Sequence, residues 1–151
     1  MAAVNFPQLD SWDMIIKRTH VTLGKIIKKP PLKPELLQKP PFRFLFDIIH
    51  EVITTTGFMQ GLYTDKELTH GYYQDLPTKS LFLEKALICV IFTKGQTLRV
   101  NPLKILCGLE PERTNAFLQA LGICLLEGYD STTAVQRVLS GERPYLYNPV
   151  I

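Results

Sequence analysis

The sequence predicts an all-α fold, a compact helical bundle, and three observations carry that expectation. Amphipathic or apolar stretches succeed one another at helical spacing, and Gly57, Gly95, Gly108, Gly128 and Gly141 each follow one, where a left-handed C-terminal cap is expected. Proline stands at the first helical position in Asn101-Pro102 and Glu110-Pro111, where its missing N–H costs little. Strand signals are nearly absent: Val90-Ile91-Phe92 has β propensity but neither alternation nor a turn-bounded partner. A chain of 151 residues with 46% hydrophobic content builds one core, which excludes a disordered tail or a disulfide miniprotein.

The domain is expected over residues 11–143, between an N-terminal extension (1–10) and a C-terminal tail (144–151). A first helix is predicted over 10–28, with Ile16, His20, Leu23 and Ile27 as a core-facing stripe and His20 as a packing residue. Gly24 costs that helix about 1 kcal/mol against alanine, and close approach of a neighbouring helix would account for it. Two proline clusters, Lys29 to Pro34 and Lys39 to Pro41, stiffen the connectors around a short turn at 34–38. Packing, rather than service as a proline-recognition ligand, is the expected role of Pro31 and Pro34. The helix at 41–56 carries Phe42, Leu45, Phe46, Ile49, Val52 and Ile53 on one face, and Phe44 and Ile48 add a second.

Thr64 and Glu67 have capping-box spacing at a turn over 64–68. The helix at 80–94 is apolar almost all round from Leu81 to Phe92 and belongs in the middle of the bundle. Helices at 102–107 and 111–127 follow, the latter with a stripe of Phe117, Leu118, Leu121, Cys124 and Leu125. Asp130 is placed to cap a last helix at 131–140.

The apolar run Ala86 to Phe92 is far shorter than the roughly 20 residues of a membrane span, and Asp10 and Asp13 interrupt any signal-peptide pattern. Cys89, Cys107 and Cys124 have no metal-ligand spacing and are expected as buried, reduced thiols of an intracellular protein, with no metal or cofactor. Spacing leaves open a pairing of Cys107 with His50. No nucleophile elbow, Walker loop, HExxH or dinucleotide fingerprint supports catalysis, so a non-enzyme is expected.

The +3 net charge is unevenly placed: residues 1–50 hold eight basic and four acidic groups, and the remainder nine and ten. Lys17, Arg18, Lys25, Lys28, Lys29, Lys33, Lys39 and Arg43 occur with Glu35 as the single acid between Lys17 and Arg43. On the predicted first helix, Lys17, Arg18, Lys25, Lys28 and Lys29 would share an arc of about 120° beside the core stripe. A solubilising face normally mixes both signs, so this arrangement points to an acidic partner. No aromatic is interleaved for base stacking, and only Met14 and Val21 fall within the arc as membrane anchors. An acidic protein surface is therefore favoured over nucleic acid or an anionic membrane.

The segment KPPFRFLFDIIHEVITTTGFMQGLYTD, Lys39 to Asp65, resembles a known family, as do LGKIIKKPPL (Leu23 to Leu32), NPLKILCGLEPERTN (Asn101 to Asn115) and AVQRVLSGE (Ala134 to Glu142). The family is that of the N-terminal calponin-homology-like domain of the intraflagellar-transport complex B subunit fifty-four, or microtubule-interacting protein associated with TRAF. The resemblance spans about residues 17–143 and takes in Gly24 and Pro30-Pro31. It implies a divergent, non-catalytic calponin-homology domain that binds tubulin or microtubules. It further implies work in a ciliary or flagellar transport particle, with location at the cilium, basal body and cytoplasm. Contacts with other transport subunits through a coiled coil would lie outside these residues. Scaffolding through Tyr72, Tyr73 or Tyr145-Leu146-Tyr147 is the alternative to docking on tubulin through the basic residues.

Overall fold

The structure, a computed structural model, describes residues 11–144; Tyr145, Leu146 and Tyr147 lie outside the described residues. The elements in order are α1 (Trp12–Val21), a 3-10 turn (Leu23–Lys25), α2 (Pro34–Gln38), α3 (Phe42–Thr56), a second 3-10 turn (His70–Tyr72), α4 (Leu76–Lys94), α5 (Pro102–Leu106), α6 (Pro111–Leu126) and α7 (Thr132–Leu139). No strand occurs among the described residues, so the all-α class holds.

Helix α4 is the central element. Ala86, Leu87, Ile88, Cys89, Val90 and Ile91 are all buried, as the apolar run predicted, and α4 packs on α5, α6 and α7. It begins four residues earlier than expected because Asp75 caps it, accepting the Thr78 backbone N–H at 2.9 Å, with Pro77 in the first turn. Helix α3 joins α4 through rings: Phe82 lies 5.6 Å from Phe42 and 5.1 Å from Phe46. The five predicted stop glycines all have positive φ, which only a residue without Cβ adopts cheaply. Thr64 and Glu67 make the reciprocal capping-box bonds, at 3.0 and 3.2 Å.

The first helix departs from expectation. It stops at Val21, and the Thr22 hydroxyl donates back towards the carbonyls of Arg18 (2.7 Å) and Thr19 (3.2 Å). The reason lies on α6. A Cβ added at Gly122 would fall 2.3 Å from the Leu23 nitrogen and 2.7 Å from the Thr22 carbonyl carbon, so the chain at 22–23 rests directly on the α6 backbone. Close approach thus belongs to Gly122. At Gly24 an added Cβ would meet only ordinary contacts, the nearest being Leu32 Cδ1 at 3.6 Å.

His20 is likewise not a core residue. It is exposed, and its Nε2 lies 2.6 Å from the Leu32 carbonyl oxygen, tying the end of α1 to the following connector. Cys89 and Cys124 are buried as expected, but Cys107 is exposed, because it lies at the C-terminal end of α5, where the chain turns through Gly108.

Two consequences can be measured. Gly122→Ala should destabilise the fold by about 1–3 kcal/mol in urea denaturation, because the obstructing atoms are backbone and cannot rotate away; an unchanged midpoint would contradict the contact. Burial pushes the Cys89 thiol up to about 12 and the Cys124 thiol to about 11, keeping both protonated at pH 8. Native protein should therefore form one mixed disulfide with an aromatic disulfide reagent rapidly, releasing one equivalent of aromatic thiolate, and Cys107→Ser should abolish that phase.

Candidate functional site

The basic segment is held in place by a buried polar cluster. Thr19 on α1 and Asn115 on α6 are both inaccessible to solvent. The Thr19 hydroxyl donates to Asn115 Oδ1 at 3.0 Å and accepts from Gln119 Nε2 at 3.1 Å. Asn115 Nδ2 in turn donates to the carbonyls of Leu37 (2.7 Å) and Pro111 (2.9 Å). One amide therefore fixes α1, α2 and α6 together, with its hydrogen-bonding capacity used on named partners. Between these anchors the chain runs from Leu23, buried against Gly122, through Ile27 to Leu37, also buried.

All eight predicted cations are exposed, but not as a single helical arc. Lys17 and Arg18 lie on α1, Lys25 ends the 3-10 turn, Lys28 and Lys29 lie in the irregular stretch after it, and Lys33 immediately precedes α2. The helical geometry that grouped five cations ends at Val21, so the basic surface is assembled from a helix end and an irregular connector. Lys39 follows α2, its Cε 3.7 Å from where a Cβ on Gly108 would stand. Arg43 is in the first turn of α3 and pairs with Asp47 at 3.3 Å.

Ion pairing is sparser on this surface than in the rest of the described residues. Among the described residues no carboxylate lies within ion-pair distance of Lys17, Lys25, Lys28, Lys29, Lys33 or Lys39. Of the nine cations after residue 50, five are compensated: Lys85 by Glu67 (3.0 Å), Lys104 and Arg113 by Glu110 (3.6 and 3.7 Å), Arg137 by Glu142 and Arg143 by Glu84 (both 3.0 Å); Lys66, Lys79, Lys94 and Arg99 have no ion-pair partner among the described residues. Six exposed lysines without internal partners retain their full attraction for an external anion. Met14 and Val21, 49% and 44% exposed, lie on the same outward side of α1 as Lys17 and Arg18.

Two residues that sequence reasoning missed sit near Arg43. His70 Nε2 is 3.1 Å from Asp47 Oδ1, and Lys79 Nζ stands 5.6 Å over the Phe42 ring. Neither lies near Arg43 in sequence, and no motif singled them out. The scaffold alternative loses one of its residues: Tyr73 is buried among Phe42, Phe46 and Phe82, and its hydroxyl donates to the Glu67 carbonyl at 2.7 Å. Tyr72 remains 40% exposed. Among the described residues no cluster of His, Cys, Asp and Glu is arranged to hold a metal ion, and His50 stacks on Phe46 with centroids 6.1 Å apart.

Residues 15–127 match the family model described as the microtubule-binding protein MIP-T3 CH-like domain. TRAF3-interacting protein 1 of Rattus norvegicus is 50% identical over 129 residues, covering 85% of this chain and 20% of the relative. The protein of the same name from Danio rerio is 47% identical over 131 residues, covering 87% of this chain and 21% of the relative. The chain spans about a fifth of the length of these curated relatives.

Asn115→Ala should cost about 1–3 kcal/mol, since it removes the Leu37 carbonyl's donor and the Thr19 link to α6, although Thr19 keeps its bonds to the Ile15 carbonyl and Gln119. Urea denaturation gives the loss, and hydrogen exchange should rise first in α1 and α2. A uniform rise across all helices would show that the cluster does not specifically anchor the basic segment.

Proposed function

The chain belongs to the family of microtubule-binding MIP-T3 CH-like domains, and from that premise we propose that it is a non-catalytic module that docks on acidic tubulin surfaces. Lys17, Arg18, Lys25, Lys28, Lys29, Lys33, Lys39 and Arg43 make the contact. The observation that carries this reading is the run of six exposed lysines with no carboxylate partner among the described residues, in a domain where five of the nine later cations are paired. Each lysine contact is weak, because exposed charges are screened beyond about 8 Å at physiological ionic strength. Their sum gives a salt-sensitive attachment that suits a module cycling on and off its partner. In this reading the domain serves a ciliary transport particle, at the cilium, basal body and cytoplasm. Contacts with other subunits of that particle lie mainly in parts of the longer protein outside this chain.

Reversal of Lys25, Lys28 and Lys29 to Glu should weaken microtubule co-sedimentation roughly tenfold or more at moderate salt. Helix content by circular dichroism should stay unchanged, since none of the three lies in an α-helix. Undiminished sedimentation of this triple variant would sink the assignment. Liposome flotation with anionic lipid and a gel shift with duplex DNA, run beside it, should both be weaker than tubulin binding.

A further inference from the structure

A recess of about 310 Å³ opens between the start of α3, the 3-10 turn at His70–Tyr72 and the first turns of α4. Phe42, Arg43, Phe46, His70, Tyr73 and Lys79 line it. The wall is aromatic: Phe42 and Tyr73 have centroids 5.3 Å apart, and His70 meets Phe46 edge-on at 4.6 Å. Because the Tyr73 hydroxyl is spent on the Glu67 carbonyl, Tyr73 contributes its ring rather than a polar group.

The rim is cationic. Arg43 uses Nε on Asp47, its side chain is 67% exposed, and its two terminal nitrogens make no hydrogen bond among the described residues. Lys79 has no ion-pair partner among the described residues. Two carboxylates bear on this rim, and both are engaged. Asp47 lies against Arg43 and His70, and Asp75 accepts the Thr78 N–H at the α4 cap while feeling the Lys79 charge.

We propose that this recess is a peptide-binding site. It takes one acidic residue of an extended polypeptide, with the carboxylate between Arg43 and Lys79 and a neighbouring aromatic or aliphatic side chain against Phe42 and Tyr73. A free guanidinium edge matches a planar carboxylate, and two cations partly offset by Asp47 and Asp75 suit a single negative charge better than a phosphate chain. Nucleic acid fits poorly, because Asp47 and Asp75 offset the two cations and leave no extended positive field for a phosphate backbone. Arg43 also belongs to the basic segment, so the site rests on the docking reading for the acidity of its partner. It adds what the lysines lack, a contact that distinguishes one acidic sequence from another.

The test is an amide chemical-shift titration of the whole chain with two probes. Acetyl-Glu-Phe-Glu-amide should perturb Arg43, His70, Tyr73 and Lys79; acetylated hexaglutamate should perturb mainly residues 17–39. Lys79→Gln keeps a polar side chain at the rim and removes the charge. It should weaken the Phe-containing probe roughly fivefold and leave hexaglutamate unaffected. Unaltered affinity of that probe for the variant, or shifts confined to 17–39, would overturn the recess and leave the docking reading standing. Hexaglutamate silent at 17–39, with the Phe-containing probe still in the recess, would do the reverse, and silence of both would sink both. A short DNA duplex shifting the recess amides more strongly than the peptide would also overturn the peptide assignment.

Discussion

The contact of the Thr22–Leu23 backbone with Gly122, braced by Asn115 about two turns earlier on α6, is the constraint from which the placement of the basic surface follows. Helix α6 meets α1 through Thr19 and meets α2 through the Leu37 carbonyl, so both ends of the basic connector are referred to one rigid element. Helix α6 is itself seated on the apolar α4, which places the connector's anchors on the centre of the bundle rather than on its periphery. A side chain at position 122 would push the connector outward. An apolar residue at 115 would leave two elements without their shared polar partner.

That anchoring explains how so many like charges are tolerated. Lysines repelling one another on an exposed helix would lower its stability, since like charges three or four apart oppose helix formation. Here only Lys17 and Arg18 ride on α1. Arg43 begins α3, and the remaining lysines occupy a turn, an irregular stretch and the flanks of the short α2, where their backbone is fixed by Leu23, Ile27 and Leu37 in the core. Folding is driven by buried apolar side chains and the Asn115 cluster, and the surface charges are left to act outward.

Much of this architecture is legible in the sequence, for local reasons. The stop glycines, the prolines at helix starts and the apolar span of α4 each act within a few residues, and the elements appear near where those signals stand. The family was legible too, since Leu23 to Leu32, Lys39 to Asp65 and Asn101 to Asn115, where the resemblance stands, all fall within the match over 15–127. What failed was non-local. Ile16, Leu23 and Ile27 keep helical spacing although the helix ends at Val21, because the force that ends it is a glycine about one hundred residues later. His70 and Lys79 were invisible for the same reason: they reach Arg43 and Phe42 only through folding of the loop before α4.

The connector between Leu23 and Leu37 has one further consequence. A polybasic stretch in a flexible tail must lose backbone conformational freedom when it meets its target, at a cost of about 1–2 kcal/mol for each residue ordered. Here that ordering has already occurred during folding, secured by Leu23, Ile27 and Leu37 and stiffened by Pro30, Pro31 and Pro34. Only lysine side chains remain to be immobilised. In the proposed docking the segment would therefore act as a preorganised electrostatic template, with charge and salt rather than a coil-to-ordered transition governing association.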